Sequence, residues 1–368
     1  MRVALVTEFY YPHLGGVSEH VHHLALELHR RGHHATVITS NMAGQGDDPP
    51  FVRRIGTSRL VYSNGSFARI TTGFGLRRRM AELLRETGAD VVHLQDALAP
   101  TLGLVASGAA WRMGLPVVGT FHTWFRRSPG YWAFRRLLQP RLDRLAARIA
   151  VSQPVVEAMR KYFRSEFEII PNGVQVGYFR PNGRRPSDAL TLGPRLLFLG
   201  RLDPRNGLET ILAAMPAILT AYPETRLTVV GDGPLRGYYQ RKARPLGDRV
   251  RFAGAVFAER PEYYGTTDLY LCPTTKASFG ITLLEAMASG TPMIVSDITG
   301  FRELVDGGAE AVLVPKGDAA AWAGAVTALI GDPARRSRMG AAGLVKATRY
   351  AWPRVADQVV AVYERVTR

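Results

Sequence analysis

Short apolar runs alternate with amphipathic segments along almost the whole chain. The runs are rich in Val, Ile and Leu, and turn residues bound them, as is typical of buried strands. The segments between them repeat apolar residues at helical spacing. In the segment 17–31, Val21, Leu24 and Leu28 fall on one helical face, and Gly32 follows as a stop signal. The pattern therefore predicts strands connected by helices.

This alternation occurs in two successive runs. In the first, the predicted strands are 3–6, 35–39, 90–94, 116–121, 149–152 and 167–170, and the predicted helices are 17–31, 77–86 and 102–113. In the second, the strands are 195–199, 227–231, 250–252, 269–271, 292–295 and 310–314, and the helices are 208–221, 322–330 and one that begins at residue 283. Strand–helix alternation predicts an α/β protein with two mainly parallel sheets.

The two runs indicate two domains. The chain has 368 residues, more than a single hydrophobic core usually holds. Residues 180–194 are rich in Pro, Gly and charge, which is typical of a linker. We therefore predict one domain over 1–179 and a second over 192–348. A C-terminal helix within 350–368 should pack back on the first domain.

The positive net charge of the chain favours anionic binding partners. The formal net charge is +16, which favours phosphates, nucleic acid or an acidic membrane surface. Basic residues concentrate in two stretches, 53–79 and 124–148, and in the second they alternate with aromatic residues. Arginine with aromatics suits an anionic membrane surface, but solvated helix faces explain the pattern equally well.

Membrane spans and targeting segments are not predicted. Every apolar run falls short of the roughly 18 residues that a span requires. The apolar stretch 3–6 is also too short for a signal peptide. We expect a cytoplasmic protein that can act at the inner face of the membrane.

Metal and thiol chemistry is disfavoured. Cys272 is the single cysteine, and its context predicts the end of a buried strand, so neither a disulfide nor a thiolate metal site can form. His20, His22 and His23 lie close together in sequence, but only the first and last share a helical face. A solvated surface is the preferred interpretation, and we expect no metal.

Ligands of parallel sheets bind beyond the carboxyl ends of the strands, so the loops leaving strands are the candidate sites. In the first domain, Gly15 and Gly16 precede a helix and would let backbone N–H groups approach a phosphate. A tight turn is the alternative. His122 follows the strand 116–121, and this position favours a functional histidine over a structural one.

Two loops of the second domain carry similar signals. Arg201 follows the strand 195–199, where its guanidinium could hold a diphosphate bidentately. Gly280 precedes another helix and offers a second anion pocket. Glu285 lies within that helix among small and apolar neighbours, so it should face inward and could reach a pair of ribose hydroxyls.

Together these segments resemble the retaining glycosyltransferases of family 4, in particular the branch that contains phosphatidylinositol mannosyltransferases. The resemblance spans almost the whole chain and is carried by Gly15-Gly16-Val17, Ile170-Pro-Asn-Gly-Val174, Gly231-Asp-Gly-Pro234 and Glu285-Ala-Met-Ala-Ser-Gly-Thr-Pro292. It implies the GT-B fold, in which two Rossmann-like domains face each other across a cleft. The implied activity moves a sugar from a nucleoside-diphosphate sugar to a hydroxyl acceptor, such as a lipid or another membrane-associated glycan acceptor.

The resemblance also implies roles for individual residues. His122 should lie beside the reacting sugar, and Arg201 should bind the diphosphate and assist catalysis. Glu285 should hold the nucleotide ribose. The remaining implied donor-binding residues are Gly15, Gly16, Arg205, Asn206, Gly254, Val256, Lys276, Ala277, Ser278, Phe279, Gly280 and Ile281. No metal and no cofactor other than the donor is implied, and the absence of an obvious carboxylate pair fits a front-side mechanism.

Two positions depart from the family pattern. Asn206 stands where the family usually has Lys, and Ala277 stands where it usually has Glu. The flanking Arg205 and Lys276 could compensate for these changes. One hypothesis is therefore an acidic or modified donor sugar. The other is an ordinary hexose held by backbone N–H groups of residues 278–280.

Two other function classes stay open at this point. A catalytically weak or inactive homologue would bind nucleotide sugars without transferring them, an idea motivated by Asn206 and Ala277. A nucleic-acid-binding protein is suggested by charge alone, and no nucleic-acid motif supports it, so we expect no nucleic-acid partner.

Overall fold

The computed structural model of this chain describes residues 1–13, 15–44, 46–63, 66–180, 193–256, 258–305 and 308–368. Its contacts divide it into two compact units, of which unit 1 comprises Met1–Gly173 with Trp352–Arg368 and unit 2 comprises Val174–Ala351. Residues 174–179, which the sequence analysis put in the first domain, therefore lie in unit 2. There the N–H of Val174 donates to the carbonyl of Tyr350, 2.8 Å away. Most of the predicted linker, residues 181–192, lies outside the described residues.

Unit 1 is built on an eight-stranded sheet with helices around it. Its strands are β1 (Arg2–Val6), β2 (His34–Asn41), β3 (Val52–Ser63), β4 (Ser66–Thr72), β5 (Val91–Gln95), β6 (Val117–Phe121), β7 (Ala147–Ala150) and β8 (Glu168–Ile169). Its helices are α1 (Gly16–Arg30), α2 (Leu76–Thr87), α3 (Leu102–Arg112), α4 (Pro129–Asp143), α5 (Gln153–Arg160) and the C-terminal α13 (Trp352–Thr367). The strand order is β4-β3-β2-β1-β5-β6-β7-β8. All neighbours are parallel except β3 and β4.

The core of unit 1 follows from the apolar pattern. Strand β5 is buried along its whole length, as expected for a parallel strand covered on both faces. Val21 and Leu24 of α1 share one core with Val355 and Val359 of α13. The C-terminal helix thus completes the apolar layer over this sheet.

The sequence analysis missed several elements of this unit. It predicted no structure for the hairpin β3–β4, where arginines interrupt the apolar pattern. It also missed α4 and α5. Helix α4 buries only Leu142, while Trp132 and Phe134 are exposed, so its apolar residues do not form one core-facing stripe.

Unit 2 is built on a six-stranded, fully parallel sheet. Its strands are β9 (Arg195–Leu199), β10 (Arg226–Val230), β11 (Val250–Gly254), β12 (Leu269–Cys272), β13 (Met293–Ser296) and β14 (Ala311–Val314). Its helices are α6 (Leu208–Ala221), α7 (Arg236–Ala243), α8 (Arg260–Gly265), α9 (Ile281–Ala288), α10 (Thr299–Arg302), α11 (Ala319–Ile330) and α12 (Pro333–Ala347). The order is β11-β10-β9-β12-β13-β14. The prediction of two mainly parallel α/β units is confirmed.

Cys272 is the last residue of β12 in unit 2. Its thiol is buried, and burial raises its pKa, which keeps the sulfur protonated and unreactive. Among the described residues, no helix is long and apolar enough to cross a membrane.

Each sheet has a point where the strand order reverses. In unit 1 this point lies between β1 and β5, and in unit 2 it lies between β9 and β12. Loops that leave such neighbouring strands diverge to opposite faces of the sheet and open a crevice in which ligands bind. The loops after β1, β5, β9 and β12 are therefore the positions where a site should form.

In unit 2, the two loops at this point touch. The N–H of Thr275, after β12, donates to the carbonyl of Arg205, after β9, at 2.8 Å. Gly207 makes this approach feasible, because its φ is 72° and a Cβ there would lie 2.1 Å from the carbonyl oxygen of Pro273. Only glycine satisfies both constraints.

We expect Gly207→Ala to destabilise unit 2 by at least ~2 kcal/mol more than Gly317→Ala, because the clash must move the Pro273 backbone. Gly317 is the matched control, since its φ is 79° but a Cβ there would meet no described atom within 4 Å. Both variants share the ~1 kcal/mol cost of a left-handed alanine. Chemical denaturation measures the difference, and equal losses for the two variants would show that the loops do not need this contact.

Candidate functional site

His122 lies directly after β6, beside the reversal point of unit 1. Its ring Nε2 lies 2.7 Å from Oε1 of Gln95, and its main-chain N–H donates to Oδ1 of Asp96 at 2.9 Å. The side chain is buried, and burial lowers its pKa to about 3, with His93 adding to the shift. The imidazole is therefore neutral at neutral pH and can act as a hydrogen-bonding group.

A second buried histidine packs on His122. The ring of His20, from α1, meets the His122 ring edge-on at a centroid distance of 4.9 Å, and it meets Trp352 at 5.4 Å. Burial lowers the pKa of His20 well below its ordinary value, and His122 adds to the shift. His20 is thus a neutral spacer between His122 and the start of α13.

The three histidines of α1 have separate surroundings. His23 pairs with Glu19 at 3.3 Å, and His22 contacts the hydroxyl of Tyr10 at 2.8 Å. Within the described ranges, no group of three His, Cys, Asp or Glu side chains could hold a metal ion. His20 is buried, so the expectation of a solvated surface is wrong for this residue.

Glu8 is a residue of this region that the sequence analysis missed. It follows β1 and is 3% exposed. One carboxylate oxygen accepts a hydrogen bond from Thr71, and the other accepts from the Thr101 hydroxyl and the N–H of Leu102. Burial raises its pKa. Its position directly after a buried strand was the available signal, and its observed role is to fix the start of α3.

The glycine loop lies at the start of α1, which begins at Gly16. Gly15 has an extended backbone with φ 171°, a conformation open to any residue. A Cβ at this position would make only ordinary contact with His13, at 3.5 Å. The backbone conformation of Gly15 does not require glycine, and neither do its described neighbours. Close approach of a ligand to this loop therefore remains a prediction.

Arg201 is anchored at the reversal point of unit 2. Its Nε and one terminal nitrogen contact Oδ2 of Asp203 at 2.8 and 2.7 Å. The amide of Asn206 donates to the Arg201 carbonyl at 2.7 Å, so Asn206 holds the loop from within. Since a guanidinium has five N–H donors, Arg201 keeps further donors for a ligand.

Arg201 belongs to a cluster of three cationic side chains, and the other two are Arg205 and Lys276. Partial desolvation lowers the pKa of Lys276, and the charge of Arg205 adds to the shift. The pKa of Arg205 is likewise lowered by desolvation, opposed by Asp203, with a further lowering from Arg201. Lys276 lies after β12, whereas the two arginines lie after β9. The two loops therefore place Arg205 close enough to repel both Arg201 and Lys276, which favours an anionic ligand.

Tight loop packing shapes the same region. A Cβ at Gly231 would lie 2.0 Å from the carbonyl oxygen of Gly200, so the loops after β9 and β10 pack backbone to backbone. The N–H of Gly231 donates to the carbonyl of Gly254 at 2.7 Å, which joins the loop after β11 to this group. Val256 is half-buried in the same loop.

The loop after β12 leads into α9. A Cβ at Gly300 would lie 2.0 Å from the carbonyl oxygen of Ala277, so α10 packs directly on this loop. Phe279 is buried and contacts the ring of Tyr350, while Gly280 precedes the first helical residue, Ile281. Ser278 to Ile281 therefore form the entrance to α9.

Glu285 lies inside α9 and is 2% exposed. Its Oε1 pairs with Arg260 at 2.9 Å, and its Oε2 accepts from the Tyr264 hydroxyl at 3.0 Å. The sequence analysis predicted the inward orientation but missed both partners. A ribose would have to share these oxygens, which is feasible because each carboxylate oxygen has two acceptor positions.

Two family models match the chain. The model described as "Glycosyltransferase Family 4" matches residues 14–178, and the model described as "Glycosyl transferases group 1" matches residues 193–332. The chain is 34% identical over 369 residues to a phosphatidyl-myo-inositol mannosyltransferase of Mycobacterium leprae, covering 100% of this chain and 97% of that protein. The chain belongs to the family 4 glycosyltransferases.

Another relative and a solved structure are also similar to this glycosyltransferase. It is 31% identical to a GDP-mannose-dependent alpha-mannosyltransferase of Mycolicibacterium smegmatis, over 100% of this chain and 98% of that protein. Among solved structures, Anabaena HepE in complex with UDP and glucose matches with a TM-score of 0.78 at 19% identity, covering 99% of each chain. That likeness shows the fold, which is GT-B, as the resemblance implied.

In this glycosyltransferase, Asp96 should make stability depend on pH. Burial raises its pKa to about 6 from an ordinary 3.8. A raised carboxyl pKa means that the folded state holds the proton more tightly, so this contribution is present at low pH and is lost as pH rises toward 6. We expect Asp96→Asn to gain ~1–3 kcal/mol of unfolding free energy relative to the parent between pH 4 and 7.

Denaturation of parent and variant across that pH range tests this expectation. The buried Glu8 titrates in both proteins, so its contribution cancels in the difference. A difference that stays constant with pH would show that Asp96 is ionised normally in the folded state.

Proposed function

We propose that this glycosyltransferase transfers a hexose, mannose in the first instance, from a nucleoside-diphosphate sugar to a hydroxyl of a lipid acceptor with an inositol-type headgroup. The observation that carries the donor class is the cluster of Arg201, Arg205 and Lys276 at the reversal point of unit 2. The relatives named as mannosyltransferases of phosphatidyl-myo-inositol, and the one named as GDP-mannose-dependent, support the sugar and the acceptor.

The proposed donor chemistry is charge stabilisation. When the glycosidic bond breaks, negative charge develops on the leaving diphosphate. Arg201 is held by Asp203 and keeps donors free for phosphate oxygens, so little reorganisation is needed at the moment of reaction. We propose that these side-chain cations, together with backbone N–H groups at the start of α9, carry out this stabilisation without a metal ion.

The proposed route retains the anomeric configuration. The acceptor hydroxyl attacks from the face of the leaving group, and a phosphate oxygen takes its proton. The protein then positions the reactants instead of forming a covalent intermediate. We assign His122 to a sugar hydroxyl beside the reacting bond, since its neutral ring can hydrogen-bond without adding a charge.

We further propose that unit 1 binds an anionic membrane surface where the lipid acceptor resides. Helix α4 exposes Trp132, Phe134 and Leu137, with Trp132 64% exposed. Arg135 stacks over the Trp132 ring at 5.4 Å. Exposed aromatic and aliphatic side chains next to arginine suit the boundary between lipid headgroups and acyl chains.

Transfer assays with the full chain test the activity. We expect GDP-mannose to support glycosylation of phosphatidylinositol vesicles, and His122→Ala to lower kcat by at least ~100-fold with little change in donor affinity. Faster transfer from UDP-glucuronate would instead favour an acidic donor sugar. Donor binding without transfer or hydrolysis, for every acceptor and donor tried, would favour a nucleotide-sugar-binding homologue.

Calorimetric titration tests the diphosphate assignment. We expect Arg201→Ala to weaken binding of GDP by ~1.5–3 kcal/mol, the range for a hydrogen bond to a charged group. Guanosine should bind the variant and the parent equally well. The control is Arg338→Ala, which removes an exposed arginine of α12 in the same unit. An equal loss for GDP and guanosine would refute a phosphate role for Arg201.

A further inference from the structure

Two consecutive residues, Gln95 at the end of β5 and Asp96 directly after it, contact the side chain and the main chain of His122. The side chain of Gln95 contacts the imidazole at 2.7 Å, and the carboxylate of Asp96 accepts the main-chain N–H at 2.9 Å. Consecutive side chains of a regular strand point to opposite faces of the sheet and could not both reach one residue. The geometry at this strand end is therefore not that of a continuing strand.

The backbone of Asp96 explains how both side chains meet His122. Its φ is 53°, in the left-handed region that non-glycine residues seldom adopt. Its N–H donates to the carbonyl of Thr120 at 2.7 Å, so the turn is fixed to the neighbouring strand β6. The left-handed residue ends the alternation of side chains. Such conformations cost of order 1 kcal/mol or more and concentrate at functional sites.

The amide of Gln95 carries a second cost. Gln95 is 4% exposed, and its Nε2 has no hydrogen-bond partner among the described residues. A buried donor without a partner costs about 1–3 kcal/mol. An apolar side chain of similar size would avoid this cost. The hydrogen bond to His122 is thus the contact that distinguishes Gln95 from a leucine at the same position.

We propose that Gln95 and Asp96 are positioning residues that hold His122 in one tautomer and one orientation. Oε1 of Gln95 accepts from Nε2–H, so Nδ1 carries the lone pair and is the ring nitrogen left to accept a hydrogen bond from a sugar hydroxyl. Asp96 fixes the main chain from which the ring projects. This inference deepens the proposed function and rests on His122 acting at the sugar.

The surroundings of His122 keep its ring neutral. From α1, His20 packs edge-on against the ring at 4.9 Å. From β5, His93 is buried between Tyr363 and Thr120, and its pKa is lowered to about 3 by burial, with His20 adding to the shift. Helix α4 places Tyr131 near Asp96, and the pKa of Tyr131 is raised above its ordinary value by burial and by Asp96. Asp96 is the one acidic group among these neighbours.

The decisive experiment reads the tautomer directly. Histidine ring nitrogens are observed by NMR in the full-length, 15N-labelled protein without donor or acceptor, and His122→Ala assigns the signal. We expect protonated Nε2 and bare Nδ1 in the parent, a mixture of tautomers in Gln95→Leu, and no change in Gln358→Leu, an exposed glutamine of α13. Protonated Nδ1 in the parent would overturn the proposal.

Kinetics separate positioning from stability. We expect Gln95→Leu to change the unfolding free energy little, because removal of the unpartnered amide nitrogen offsets the loss of the hydrogen bond between Oε1 and the His122 ring. It should lower kcat by about 10- to 100-fold while the donor KM changes little, as expected for a misplaced catalytic group. A loss of stability with unchanged kcat in the folded fraction would assign Gln95 a purely structural role.

A charged variant gives a pH signature. Gln95→Glu still accepts from Nε2–H, but its carboxylate favours the protonated ring and raises the pKa of His122. Since a protonated ring has no acceptor, kcat of Gln95→Glu should fall as pH is lowered through that raised pKa, whereas Gln95→Leu should show no such limb. Asp96 titrates in both variants, and Gln95→Leu shows which part of the profile belongs to Asp96 alone. Identical pH profiles for the two variants would contradict the proposal.

The readouts also separate this inference from the proposed function. The correct tautomer together with no transfer from any donor would refute the assigned activity while leaving the positioning contacts intact. Transfer that depends on His122 but not on Gln95 would refute the positioning role alone.

Discussion

Both units depend on the constraint that parallel strands end together at one edge of a sheet. At a point where the strand order reverses, the loops leaving adjacent strands must diverge, and polar groups can gather there without entering the core. In unit 1 these loops follow β1 and β5, and in unit 2 they follow β9 and β12. Arg201, Arg205 and Lys276 lie on the two loops of unit 2, and His122 lies directly after β6, the strand next to β5.

The two units use this constraint for different electrostatic purposes. In unit 2 the loops after β9 and β12 still touch beside Gly207, where the N–H of Thr275 donates to the carbonyl of Arg205. Desolvation lowers the pKa values of Arg205 and Lys276, with Arg201 adding to the shift of Arg205 and Arg205 adding to that of Lys276. The proposed diphosphate would compensate these positive charges. In unit 1, burial removes charge from the histidines, so His122 contributes a hydrogen bond in place of a charge.

Three buried polar side chains of unit 1 lower the stability of the folded state. Glu8 and Asp96 are carboxyls whose pKa values are raised by burial, and Gln95 has an amide nitrogen without a described partner. Glu8 is compensated by three hydrogen bonds, one from Thr71 of β4 and two from Thr101 and Leu102 at the start of α3. Gln95 and Asp96 both contact His122, so an amide nitrogen without a described partner and a carboxyl with a raised pKa lie beside the residue proposed to act on the sugar.

The sequence by itself determined the α/β class, the two parallel sheets and the loops that hold the candidate site residues, because apolar runs and glycines record local strand and turn requirements. It placed His122, Arg201 and Glu285 in those loops and helices without their partners. Tertiary structure alone decided that Gln95 and Asp96 contact His122 and that His20 packs beside it. It also decided that the Glu285 carboxylate pairs with Arg260 and accepts a hydrogen bond from Tyr264. Those contacts join distant parts of the chain and depend on strand order and on a left-handed residue, neither of which leaves a periodic signal in sequence.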